Sequence, residues 1–185
     1  MLKAVTNRKF PMLEQSMDRL FGIPLEHDPD LTALARMSRW SLFTRVRKDP
    51  AGRIRILFVD GTEDLSSGWA MDRDVIGQNF GHLKLILVAV PEEFDFTLEG
   101  CHYVPETLDG YLLAVTLHEL YEIITGDLSH CRNPGRCVNS QCRMSKKGYC
   151  CLCMGGLIDR KWPDLALEDL YCEEDLGHLR RALGR

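Results

Sequence analysis

The sequence predicts an α/β protein organised on a largely parallel β-sheet. Two observations carry that prediction. Helical and strand patterns alternate through the first hundred residues, the order that layered α/β folds require. The run Lys84-Leu85-Ile86-Leu87-Val88-Ala89-Val90 is apolar almost without a break, as in a strand covered on both faces.

Residues 11–21 set Leu13, Met17, Leu20 and Phe21 at helical spacing behind Pro11, a residue suited to a first helical turn. Gly22 and Pro24 close that helix. A second helix starts near Asp30, with Leu31, Leu34 and Ala35 as its apolar stripe. Asp49-Pro50-Ala51-Gly52 is a turn feeding Ile54–Val59, whose β-branched and aromatic content fits a strand. Residues 60–68 read as loop, Trp69 as the opening of a short strand, and Pro91 as the stop of the 84–90 strand. A long helix then runs from Thr107 or Asp109, either able to cap it, to Gly126. Leu113, Leu117, Leu120 and Ile124 recur at helical intervals and line one buried face. From Pro163 the chain forms one or two amphipathic packing helices carrying Leu165, Leu167, Leu170, Leu176, Leu179 and Leu183.

A chain of 185 residues fits a single domain, expected here over 1–185. The net charge of −4 supplies no basic face for nucleic acid, so no such partner is expected. Arg36, Arg39, Arg45, Arg47, Lys48, Arg53 and Arg55 read as the solvated face of a helix and the following strand. No segment reaches the roughly eighteen apolar residues that span a bilayer. The first nine residues lack the apolar stretch of a secretory signal, which points to a cytoplasmic location with reduced thiols. Eight cysteines in that setting read as metal ligands before bridges. Cys101 and Cys172 read as free buried thiols, and His27, His82, His102 and His178 as surface or core side chains.

The chemistry concentrates between 118 and 153. His118-Glu119-Leu120-Tyr121-Glu122 lies on the long helix, where residues four apart share a face. His118 and Glu122 can therefore grip one ion, since zinc accepts imidazole nitrogen and carboxylate oxygen at about 2.0–2.2 Å. Glu119 sits about 100° round the helix from His118, the place of a general base in a metallopeptidase helix. A carboxylate in place of a second imidazole lowers the positive charge at the metal, and so its power to activate water. On the pentapeptide alone, solvated glutamates beside a satisfied histidine fit equally well.

Six cysteines follow within twenty-three positions: Cys131, Cys137, Cys142, Cys150, Cys151 and Cys153. Cys137, Cys142, Cys150 and Cys153 have the loop lengths of a closed structural zinc site, in which four thiolates leave no position for water. Cys131 competes with Cys137 as a ligand, and Cys151 reads as a bystander. An iron–sulfur centre and unligated thiols are the alternatives. Met144, taken alone, reads as a core methionine.

His-Glu-x-x-Glu, the helix-breaking Gly126 and the later His130 resemble the metzincin arrangement. The His130-Cys131 pair, Cys137-x4-Cys142-x-Met144 and Cys150-Cys151-Leu152-Cys153 resemble more narrowly the archaemetzincins, over roughly 107–155. The resemblance implies a metzincin-like three-layer sandwich with a mostly parallel sheet, an active-site helix and a cysteine-rich zinc segment at 131–155. It implies one structural zinc and a second, catalytic-type zinc held by His118, Glu122 and His130. Glu119 would then be the catalytic base, Met144 the Met-turn residue, and a peptide or protein the substrate. Four departures stand against that pattern: Glu122 replaces a histidine, Gly126 and His130 lie one and two residues late, Cys131 and Cys137 are separate residues, and Met144 lies close to Cys150. Weak or absent peptidase activity is the expectation. The alternative is a non-catalytic structural-zinc protein serving a partner or a regulatory role. A thiol redox or metal-sensing protein ranks behind both, because Cys150-x-x-Cys153 lacks a thioredoxin-type placement.

Overall fold

The structure is a computed structural model and describes residues 2–37, 42, 45–60, 77–91, 105–126 and 151–185, with backbone alone for 151–153. It comprises two compact units, Met1–Phe94 and Asp95–Arg185.

The described residues of the first unit form five strands: β1 (Ala4–Thr6), β2 (Leu25–His27), β3 (Ile54–Asp60), β4 (Gly77–Phe80) and β5 (Leu85–Val90). Their order in the sheet is β2-β1-β3-β5-β4. Among the described strands only β4 runs antiparallel, against β5, so the sheet is mostly parallel as the sequence suggested. β1, β2 and β4 were not anticipated, because strands of three or four residues are too short to display a period of two. Lys84, expected inside the fifth strand, instead adopts a left-handed backbone (φ 48°) just before it. Trp69 lies outside the described residues.

Parallel register sorts the side chains onto two faces. Val5 pairs with Arg55, and Leu57 with Leu87, so these residues share a face with Val59, Leu85 and Ala89. The apolar members of that face form one cluster with Leu31 of α2 (Asp30–Ala35) and with Leu42 and Val46. The opposite face carries Ala4, Ile54, Ile56, Phe58, Ile86 and Val88, all buried. α1 (Pro11–Ser16) continues into a π-helical turn, Met17–Phe21, and Gly22 ends it with φ 62°. Just ahead of α1, Phe10 packs edge-on to Phe58, with ring centroids 5.8 Å apart. Beyond Thr6 the side chain of Asn7 extends the ladder: its Nδ2 donates to the Phe58 carbonyl and its Oδ1 accepts from the Phe58 amide, both at 2.9 Å.

The basic cluster divides. Arg36, Arg45, Arg47 and Lys48 are exposed, as expected of a solvated face, and Arg39 lies outside the described residues. Arg55 is buried: its guanidinium donates to the carbonyls of Arg47 (2.7 Å) and Leu83 (3.1 Å). Burial pulls its pKa below the usual arginine value. Arg53 donates to Asp49 from Nε at 2.8 Å and from its backbone amide at 2.9 Å, pinning the turn ahead of β3. These bonds hold the Asp49 carboxyl below the usual carboxylate range, the Arg53 side chain contributing most. The stabilisation is present above the unfolded aspartate value of about 3.9 and is lost as pH falls through the lower folded value. Asp49→Asn should cost about 1–2 kcal/mol at neutral pH, Arg53 being partly exposed, and far less in strong acid. Chemical denaturation at both pH values tests this; an equal cost at both would refute it.

The described residues of the second unit form four helices: α3 (Leu108–Thr125), α4 (Cys151–Lys161), α5 (Leu167–Leu170) and α6 (Glu173–Leu183). Of the one or two C-terminal helices expected there are two, α5 and α6, with Leu165, Leu170, Leu176 and Leu179 buried. Leu167, Leu183 and the free thiol residue Cys172 are half-buried. Cys101 and His102 lie outside the described residues. No helix among the described residues is long and apolar enough to cross a membrane.

α3 and α4 approach closely through glycine. A Cβ on Gly155 would stand 2.9 Å from Pro105 Cγ, and one on Gly110 would collide with the Asp159 carboxylate. That carboxylate accepts from the amides of Glu106 (2.7 Å) and Thr107 (3.0 Å) and from Thr107 Oγ1 (2.5 Å). Gly110→Ala would gain about 1 kcal/mol of helix propensity but displace a group holding three charge-assisted bonds. The loss should win, with a net destabilisation of about 1–3 kcal/mol. A Gly110→Ala protein of raised Tm would show that Asp159 swings aside freely.

Candidate metal site

Every sequence-predicted site residue that the structure describes in full stands on α3. Thr107 is the N-cap, its Oγ1 accepting from the Gly110 amide at 2.9 Å, so Asp109 falls within the first turn. Gly126 ends the helix with φ 70°, its amide donating to the Glu122 carbonyl at 2.9 Å. The expected single buried stripe is too narrow an account. Residues 110–121 are all buried, while Ile124 is only half-buried. A helix apolar on most sides is buried on most sides, and its polar side chains go in with it.

His118 and Glu119 are accordingly 8% and 7% exposed, and the Glu122 side chain 12%. This excludes the reading of solvated glutamates beside the histidine. His118 Nε2 lies 3.5 Å from Glu122 Oε1. Two donors at zinc–nitrogen and zinc–oxygen distances from a tetrahedral ion stand about 3.3–3.5 Å apart, so the spacing fits one shared cation. The donor set also fits: an imidazole and a carboxylate are both zinc ligands.

Among the described residues the structure pairs His118 with Glu122, with Glu119 buried on the adjoining face of the helix. His130, Cys131, Cys137, Cys142, Met144 and Cys150 lie outside the described residues, and Cys151 and Cys153 are placed by backbone alone in the first turn of α4. Among the described residues no group of three or more His, Cys, Asp or Glu side chains is arranged to hold a metal. What is described is a two-donor half-site. Of the other described histidines, His27 and His82 are exposed, and His178 on α6 is half-buried.

The support of α3 escaped sequence reasoning. The Tyr171 hydroxyl donates to the Leu117 carbonyl at 3.0 Å, directly before His118. The Tyr171 ring stacks on Tyr121, with centroids 5.2 Å apart and planes 26° from parallel. The Tyr121 hydroxyl donates at 3.1 Å to Asp175, in the first turn of α6. The one signal available was Tyr121 itself, a hydroxyl within an apolar helix and so in need of a buried partner.

No family model matches the chain, and no curated protein matches it significantly. Among solved structures it is similar to a zinc-dependent peptidase from Methanocorpusculum labreanum, at 14% identity and a TM-score of 0.47, over 97% of this chain and 100% of the other. Likeness at that level falls short of a common fold, and the site stands on its own geometry.

Proposed function

We propose that this chain is a zinc protein of the metallopeptidase type, resembling the archaemetzincins in its motifs, with weak or lost peptidase activity on a peptide or protein substrate. His118 and Glu122, joined by His130, hold a catalytic-type ion. Cys137, Cys142, Cys150 and Cys153, with Cys131 as contender, hold a structural one. The observation that carries the reading is the buried His118–Glu122 pair at a ligand-like 3.5 Å, with Glu119 buried beside it.

Zinc, when bound, supplies a Lewis acid that polarises the peptide carbonyl. The chain's own residues do the rest. Glu119 takes a proton from the attacking water and returns it to the leaving amine, which a carboxylate shielded from bulk solvent is suited to do. Glu122 contributes negative charge where a second imidazole would be neutral, so water at this site is activated less. That charge difference is the physical reason for expecting slow turnover.

Metal analysis of purified protein tests the proposal. Two zinc ions per chain are expected, one of them lost on His118→Ala. A single ion insensitive to that substitution would instead indicate a structural-zinc protein whose helix no longer binds metal, with a partner-binding or regulatory role.

A further inference from the structure

We infer that Tyr171 is a positioning residue for the metal-binding turn of α3, acting with Tyr121 and Asp175 to set the direction of the His118 side chain. The inference rests on the metal reading above and deepens it.

The peptide unit joining Leu117 to His118 is planar, so whatever grips its oxygen orients the plane from which the His118 Cα–Cβ bond departs. Within the helix that oxygen accepts one bond, from the amide four residues on. The Tyr171 hydroxyl adds a second at 3.0 Å, from outside the helix. A helix carbonyl with one partner can tilt within the ladder; one with two partners in different directions is held. The donor is itself held. Tyr171 is 3% exposed and its ring lies against Tyr121, which is 0% exposed. Tyr121 is bonded through its hydroxyl to Asp175, which is 5% exposed. Asp175 stands in the first turn of α6, where the helix dipole favours a carboxylate.

Position round the helix separates this grip from the chemistry. Leu117 and Tyr121 lie roughly 160–200° from Glu119, so the aromatic pair braces the helix from behind the proposed base. His118 and Glu122 fall between the two. Outer groups that orient metal ligands typically change affinity about 10–100-fold when removed. Tyr171 would act in that way through backbone, where most such groups act on the ligand ring itself.

The test is cobalt(II) titration of the full chain, read by the visible absorption that His118→Ala removes. Tyr171→Phe deletes only the hydroxyl and keeps the ring against Tyr121. It should weaken His118-dependent cobalt binding about tenfold and shift its spectrum. Leu176→Ala, a buried change on α6 outside the hydrogen-bonded chain, controls for destabilisation. Measured where all variants are folded by circular dichroism, it should leave cobalt affinity within twofold of the wild type. Wild-type affinity in Tyr171→Phe, or an equal loss in Leu176→Ala, would overturn the positioning role while leaving the metal site standing. Absence of any His118-dependent cobalt in the wild type would overturn both.

Discussion

Glu119→Gln is expected to lower peptide hydrolysis about 10²–10⁴-fold while leaving metal content unchanged, because Glu119 adjoins the proposed ligands without being one. In activation free energy that is about 2.7–5.5 kcal/mol, at roughly 1.4 per tenfold. The substitution keeps the shape of a side chain that is 7% exposed, so folding should survive it. A glutamine amide is neither a base at neutral pH nor a carrier of the proton to the leaving group. If native turnover is too slow to measure, the comparison belongs in a Glu122→His background. There a second imidazole should tighten metal binding and restore positive charge at the site. Equal hydrolysis by the Glu119→Gln variant and its parent, with metal present in both, would remove Glu119 from the mechanism. Robust turnover by the unaltered chain would overturn the expected penalty of Glu122.

The second large effect concerns the cysteine segment. Stripping metal from the protein, or replacing Cys142 and Cys150 together with serine, should leave residues 131–155 open to proteolysis. A short segment whose cross-link is a metal depends on that metal for its fold, and structural zinc is worth about 10–16 kcal/mol in small modules. The loss should spread to α3. α4 begins at Cys151, and its Asp159 carboxylate bonds the two amides ahead of α3 and the Thr107 hydroxyl that caps it. Slower hydrogen exchange at the α3 N-terminus in the zinc-loaded protein than in the stripped one is the expected signature. Unchanged protease sensitivity of 131–155 after metal removal would rule out a structural ion there.

Long elements were legible where composition and caps agreed. Gly126 bounded α3 at one end and Thr107 or Asp109 at the other, because a left-handed glycine and a side-chain oxygen are local requirements; the structure chose Thr107. β3 and β5 showed themselves through runs of β-branched and apolar residues. β1, β2 and β4 did not: Ala4-Val5-Thr6 becomes a strand by pairing with β3 and β2, and nothing within three residues announces that. The same limit applies to Arg55, which looked solvated by type. The parallel register turns it inward, to two carbonyls contributed by distant residues.

At the candidate site the division is similar. The sequence by itself determined that His118 and Glu122 share a helix face with Glu119 on an adjacent one, because helical pitch is local geometry and depends on no other part of the chain. Tertiary structure decided that this face is buried, that Asp159 holds the capping Thr107 from fifty-two positions away, and that Tyr171 grips Leu117 from fifty-four. Burial and long-range hydrogen bonds depend on how helices pack, and packing is a property of summed surfaces that no spacing of residues encodes.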